Sequence, residues 1–405
     1  MSRYLCCLME KKWGKDEVKI LRISRFKIAD KELCPCGSGK IYKECCKIKK
    51  TRINASKKPP EVQIMEKMRR SMKKCCLHPD QANCKGNIKA AHALQNNKII
   101  SLLAGAERHV YMIDAKKQPL LVPLDTGEVV PIVEISKISA NDATTETCFC
   151  DLHDDIVFAI IEKGAPDFEE SREDMKFVYA YKAFIFEYYK QRMVFDIFRQ
   201  NFKDNPNAFL TPDMVGMYRM LQLKMQELEP VKKHFDSQIL ANTYDGVITC
   251  AVKLPYQIKF AGYAYIAPDY DLNGRRIRHT ICGVMHRVSI TIFPEVKQSW
   301  LLLSCLKEEE TIYKDLFEQV SLATDNKLRY YINMVLPLYS ENMVLSPKLW
   351  KTWDKETQMA YTFYANLHGP EAYTIGMGVG MGLKNAARDM TGKAYLSPPK
   401  INLFL

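Results

Sequence analysis

No run of about 18 consecutive apolar residues occurs anywhere in the chain, which leaves no candidate for a membrane-spanning helix. There is no G-x-S-x-G elbow and no P-loop, and no repeat with a period of about 20–50 residues. These absences exclude a hydrolase nucleophile of the elbow type, a Walker-type nucleotide grip and a solenoid. The glycines near the end, Gly376, Gly378, Gly380 and Gly382, lack the G-x-G-x-x-G spacing between a strand and a helix, so no phosphate cradle is expected there. The opening stretch, MSRYLCCLMEKKWGKDE, has neither an uninterrupted apolar core nor a small-residue cleavage site. A secretory leader is therefore not expected; the expected compartment is the cytoplasm, with no membrane partner.

What is present is a folding composition. Of 405 residues, 47% are hydrophobic and 26% charged, which excludes wholesale disorder and leaves room for about two or three domains. Charge is unevenly placed. Residues 1–75 hold 22 Lys+Arg against 8 Asp+Glu, a balance of +14, so the remainder of a chain of net charge +12 carries −2. A basic segment of this density favours polyanions, nucleic acid above all, through counterion release, or an acidic protein surface. The plainer alternative is a solvated arm.

Fourteen cysteines would be many for a reduced compartment unless some hold metal. Nine of them, between Cys34 and Cys150, fall into three groups interleaved with His78, His92 and His153. The first group, Cys34-Pro-Cys-Gly-Ser-Gly-Lys-Ile-Tyr-Lys-Glu-Cys45-Cys46, places four thiols in 13 residues. Zinc takes four sulfur or nitrogen ligands in a tetrahedron, and two thiol pairs separated by a glycine turn satisfy it. Gly37 and Gly39 can adopt φ > 0 and let the backbone double back. Lys40, Lys43 and Lys47 are close enough to offset the −2 of a four-thiolate zinc site. Ordering so short a piece costs ~1–2 kcal/mol per residue, whereas zinc contributes ~10–16 kcal/mol in small modules, so the segment needs its metal.

These 13 residues resemble the SEC-C motif, found at the C-terminal tail of the SecA translocase and in many otherwise unrelated bacterial proteins. Cys46 stands where SecA usually has His. The resemblance implies a structural zinc knuckle, held by Cys34, Cys36, Cys45 and Cys46, that contacts a protein or nucleic-acid partner. It implies no catalysis.

The second constellation runs Cys75-Cys76-Leu-His78, then Cys84 and His92, and resumes at Cys148-Phe-Cys150-Asp-Leu-His153-Asp154. A ligand pair on a loop, then strands, then a pair opening a helix is the order of a treble-clef zinc site. Cys76, Cys84, Cys150 and His153 are the expected ligands, with Cys75 and Cys148 as alternates. The layout is similar to HNH-type nucleases, in which a clef frames a strand-end histidine that deprotonates water. By that resemblance His92 is the base, and Asp154 or Asp155 anchors a Mg or Mn ion. The sequence departs from the pattern at Ala91, which cannot bind metal, and at Phe158, where a metal-binding residue often stands; Asn96 and Asn97 are further substitutes. The other reading of His92 is structural, as a hydrogen-bonded member of the clef or an alternate zinc ligand. The Ala-His and Phe-Cys-x-x-His-Asp pairing is also similar to uncharacterised bacterial proteins, some linked to phage defence.

Elsewhere the pattern is that of an α+β protein. Strands are expected at 18–23, around His109–Ile113 and Leu120–Val122, and through 245–305, with a turn at Asp271-Leu-Asn-Gly274. Helices are expected over 61–74, Glu169 to Lys203, Pro212 to His234 capped by Thr211, about 308–325 and 354–367. The segment 339–350 reads as a helix cap and turn. His279 and His286 flank Cys282 in what reads as one strand, and an odd separation puts them on opposite faces. The expected organisation is a basic segment with knuckle and linker over 1–60, a clef module over 61–165 and an α+β domain over 166–405. The expected function is nucleic-acid binding by a two-zinc protein, extending to HNH-like phosphodiester cleavage in defence against phage. The alternative is a non-enzymatic adaptor whose knuckle docks a protein.

Overall fold

The computed structural model describes residues 27–48, 60, 63, 64, 67, 73–114, 117–123, 129–162, 164–340, 342–366, 383–387 and 400–405. The expected strand at 18–23, most of the 49–60 linker and of the 61–74 helix, and the glycine-rich tail lie outside them. The chain is α+β, as its pattern implies. It divides into two compact units, one drawn from Met1–Lys73, Tyr188–Lys233 and Thr280–Met285, the other from Lys74–Glu187, His234–His279 and His286–Leu405.

Strands β1 (Ile88–His92), β2 (His109–Ile113), β3 (Leu120–Pro123), β4 (Val129–Ile132), β5 (Ile135–Ser139) and β6 (Thr145–Cys150) precede the helix α2 (Asp151–Phe158); a single turn, α1 (Ser101–Ala104), follows β1. Two long helices come next, α3 (Glu173–Asp204) and α4 (Pro212–Ala241). Thr211 caps α4, its hydroxyl accepting from the Met214 N–H at 3.3 Å, and Pro212 stands at the first helical position, where its missing N–H costs nothing.

The larger unit is organised on a seven-stranded, wholly antiparallel sheet in the order β5-β2-β13-β8-β11-β12-β7. Its remaining strands are β7 (Val247–Leu254), β8 (Phe260–Ile266), β11 (Val288–Pro294), β12 (Ser299–Leu306) and β13 (Asn342–Leu345). Both faces are covered. Ile290, Ile292, Leu301 and Leu303 point into one core with Tyr313, Leu316 and Val320 of α5 (Glu310–Ser321) and Leu328, Ile332 and Val335 of α6 (Asp325–Tyr339). On the opposite face Tyr263 and Tyr265 meet Phe186 and Phe184 of α3, and Ser289 donates to the Ala180 carbonyl. Every position of β11 and β12 is buried; Trp300–Leu303 of β12 is apolar without interruption, whereas β11 alternates, with Ser289 and Thr291 on the side that meets α3. Ser346 and Asp354 cap the closing helices α7 (Pro347–Thr352) and α8 (Lys355–Tyr364).

Two local expectations change. Residues 279–293 are not one strand: β9 (Thr280–Ile281) and β10 (Val284–Met285) form a hairpin whose turn, Cys282-Gly283, has φ of 51° and 81°. A turn with two positive φ values reverses the chain and sets His286 opposite His279, to whose carbonyl it donates at 2.8 Å. Helix α6 fills a stretch to which the sequence pattern assigns no element, and the 339–350 segment, expected as a cap and turn, contains the strand β13 before the Ser346 cap. Among the described residues no helix is long and apolar enough to cross a membrane.

Candidate metal centres

The knuckle begins with a bridge between Leu33 and Ile41, tightened by the Cys34 N–H donating to the Lys40 carbonyl at 2.8 Å. Gly37 and Gly39, at φ of 75° and 74°, make the reversal, and short helical turns at Tyr42–Glu44 and Cys46–Ile48 return the second thiol pair. All four ligand atoms of Cys34, Cys36, Cys45 and Cys46 lie within 4.8 Å of one another. Sulfur–sulfur distances are 3.6 Å for Cys36 and Cys45 and 3.9 Å for Cys45 and Cys46. A tetrahedron with Zn–S of ~2.3 Å has an edge of ~3.8 Å, so the donor set fits zinc.

The thiols sit inside and the charge outside. Cys34, Cys45 and Cys46 are buried, while Lys27, Lys31, Lys40, Lys43 and Lys47 are exposed. Burial pushes the Cys36 thiol up, but hydrogen bonds with Ser38 and Cys34 more than reverse this and bring it to about 6, so it is a thiolate at neutral pH. The knuckle is seated on the two long helices. Tyr42 packs edge-on to Phe202 of α3 at 6.3 Å, the Arg219 guanidinium of α4 pairs with Glu32, and Arg199 of α3 lies against Gly37.

The second cluster brings Cys76, Cys84, Cys150 and His153 within 4.8 Å of one another. Cys76 and Cys84 flank a short turn at Gln81–Asn83, and Gln81 donates its amide to the Cys76 carbonyl at 3.1 Å. Strands β1 and β6 pair antiparallel, Cys150 ends β6 and His153 falls in the first turn of α2. The His153 Nδ1 lies 3.4 Å from Cys76 Sγ, 3.6 Å from Cys84 Sγ and 3.3 Å from Cys150 Sγ. In a zinc tetrahedron the N···S edge is ~3.6 Å, so this set also fits, through Nδ1. Burial pushes the Cys150 thiol up, and backbone hydrogen bonds from His153 and Lys85 outweigh it, for a net lowering. His78 stacks on the His153 ring at 3.8 Å and fixes its plane. Of the alternates, Cys148 is fully buried two residues up β6, and neither it nor Cys75 belongs to the cluster.

Around this centre the other singled-out residues take definite places. His92 ends β1 after a bulge between Lys89 and Ala91. Its Nδ1 lies 2.9 Å from the Ala143 carbonyl, which can only accept, so Nδ1 carries the proton and Nε2 keeps its lone pair. Burial lowers its pKa, so the ring is neutral at neutral pH. Asp154 is buried, with Oδ2 2.8 Å from Lys89 Nζ and Oδ1 without a partner among the described residues; the same Nζ is 3.2 Å from Asp155 Oδ1. Asn96 bonds Asn141. Phe158 packs edge-on to Phe149 at 5.2 Å and is fully buried. Sequence reading missed Lys89, and also the buried pair of Lys182 and Glu162, which the His92 ring senses electrostatically. Neither carries a local spacing signal, because each partner comes from a different part of the chain.

No curated protein and no solved structure matches the chain. Residues 31–47 match the family model of the SEC-C motif, the segment that carries the first cysteine cluster.

Proposed function

We propose that both centres hold zinc and that the protein binds nucleic acid through its basic, zinc-stapled N-terminal region. The observation that carries this reading is the division of the knuckle: its thiols face inward and Lys27, Lys31, Lys40, Lys43 and Lys47 face solvent. Metal thereby fixes a patch of positive charge within a segment whose overall balance is +14. Affinity of this kind rests on phosphate contacts and is lost steeply with salt. The test is titration onto labelled duplex DNA, single-stranded DNA and RNA. If ~6–10 phosphates are engaged, affinity falls by about 10³–10⁵ between about 50 and 200 mM salt. Binding only to a protein partner, insensitive to salt, would instead establish the adaptor.

One observation favours a second reading, HNH-like phosphodiester cleavage. The Ala143 bond leaves the His92 Nε2 able to take a proton from water. The resulting hydroxide would attack phosphorus, and the leaving oxygen would be protonated by solvent. A Mg or Mn ion held by Asp154 or Asp155 would neutralise the charge developing on phosphate, in competition with Lys89. His92→Ala should abolish divalent-dependent nicking with zinc content unchanged; equal nicking removes the enzyme. The similarity to phage-defence proteins extends this to a cellular assay, in which the wild type lowers plaque counts and His92→Ala does not.

A further inference from the structure

In the larger unit a cavity of about 210 Å³ opens between the segment that follows β1 and the end of β11. We propose that it is a binding site for a small organic cation, the ammonium head of a primary amine. The inference goes beyond the nucleic-acid reading and does not depend on it.

The cavity wall holds a carboxylate without a counter-ion. Glu295 is 8% exposed and makes no ion pair among the described residues. Only neutral donors reach it. Oε1 accepts from the Phe168 N–H at 2.7 Å, and Oε2 accepts from the Gln298 amide at 2.7 Å and the Trp300 indole at 3.1 Å. These bonds fix the carboxylate in place but do not cancel its charge. Its two oxygens offer about four acceptor sites, so a further donor can still be taken. Water screens such a charge poorly, and a cation beside it gains more than it would from an exposed carboxylate.

The other charged groups leave this balance negative. Asp167, which is exposed, also lines the cavity, and the Lys98 ammonium lies 3.6 Å from its carboxylate. Lys98 donates as well to the carbonyls of Ala165 and Pro166, so its N–H groups are spent on that loop. Two carboxylates against one ammonium leave a single negative charge, that of Glu295. Tyr179, on the same wall, feels this field: burial pushes its phenol up, and the carboxylates of Glu295, Glu162 and Asp167 push it further. The rest of the lining is apolar at Ile99, Leu102, Phe168 and Phe293, with an uncharged acceptor at Gln95. Gln95 commits its Nε2 to the Ile161 carbonyl and keeps its Oε1. A primary alkylammonium matches this set, with N–H donors for the carboxylate and amide oxygens and a tail for the apolar wall. An anion would be repelled, and a neutral ligand would leave the Glu295 charge unanswered. Pockets for drug-sized ligands run upward from about 300 Å³, so this one takes a short amine.

The test is calorimetry on the full-length protein with n-butylamine, n-butanol and tetramethylammonium. n-Butylamine should bind. n-Butanol lacks the charge and tetramethylammonium lacks the N–H donors, so each should bind about ten-fold or more weakly. Glu295→Gln should weaken n-butylamine by about ten-fold or more. That substitution also alters the brace on Phe168 and Trp300, so a second variant is needed. Val296→Trp, at a 70% exposed position of the lining, should block the cavity while every hydrogen bond of the Glu295 side chain stays in place. Nα-acetyl-lysine methylamide separates the two sources of the ligand: binding equal to n-butylamine assigns the site to a lysine side chain, weaker binding to a free amine. A wild type that binds no n-butylamine, or takes n-butanol equally well, would overturn the site. So would n-butylamine binding that is unchanged in Glu295→Gln and in Val296→Trp. None of these outcomes touches the salt-dependent binding of nucleic acid, which is measured separately.

Discussion

Cys84 and His153 are 69 residues apart in the chain, yet the Cys84 sulfur and the His153 Nδ1 are 3.6 Å apart in the fold. That approach depends on the 85–87 segment lying against the start of α2, where the Asn87 N–H donates to Asp151 Oδ2 at 3.0 Å and Asp151 N–H returns to the Asn87 carbonyl.

Gly86 makes this approach possible. It has φ of 77°, and a Cβ there would stand 2.6 Å from Asp151 Oδ2. Gly86→Ala should therefore cost more than the ~1–2 kcal/mol of a left-handed backbone alone, and should release the metal of the second centre while the first keeps its own. Metal content and thermal melting of the variant check both outcomes.

The knuckle offers an internal comparison. Gly37 and Gly39 share nearly the same φ, but a Cβ on Gly39 meets nothing within 4 Å, whereas one on Gly37 meets Arg199 Cδ at 3.2 Å. Arg199 cannot yield easily, since its guanidinium lies 4.0 Å from the centre of the Phe195 ring. Both alanine variants should lower metal affinity, Gly37→Ala more so, and Arg199→Ala added to Gly37→Ala should close the gap. A competitive chelator titration measures this directly.

The first centre was legible because its ligands, its glycines and its lysines all lie within one short segment. The second was legible in part. Strand alternation gives Cys148 and Cys150 the same face and so cannot choose between them; Cys150 is selected because it ends β6 beside the α2 turn that holds His153. The insertion between β1 and β6 was harder to place, because β2 and β5 pair within a sheet whose other strands begin at Val247. Pairing over that separation leaves no local trace. The Cys282-Gly283 turn was signalled only by one glycine inside an apolar run.

Lys182 and Glu162 form an ion pair with side-chain exposures of 4% and 19%. The cation also lies 4.5 Å from the centre of the Phe158 ring. Removing one partner strands the other charge, so Lys182→Met should destabilise by about 3 kcal/mol or more. Lys182→Met with Glu162→Gln should recover most of that loss. Denaturant midpoints for the two singles and the double decide it; independent, additive losses would contradict the pairing.

Burial holds the pKa of His92 below its ordinary 6.5 in the folded protein. Below pH 6.5 the unfolded chain then binds the proton more readily than the folded one. The stability that the neutral ring contributes is full above 6.5 and is lost as pH falls through the folded pKa. Wild type should therefore lose stability relative to His92→Gln on acidification, and the His92 ring should titrate by NMR with a midpoint below 6.5. A midpoint above it would contradict the buried, carbonyl-bonded ring.

The most direct measurement is zinc per chain in the purified full-length protein, wild type beside Cys45→Ser and Cys84→Ser. Two zinc ions are expected in the wild type and one in each variant, with the double variant empty. A wild type with one ion or none, or a Cys84→Ser protein that still holds two, would contradict the pair of centres on which the proposed function stands.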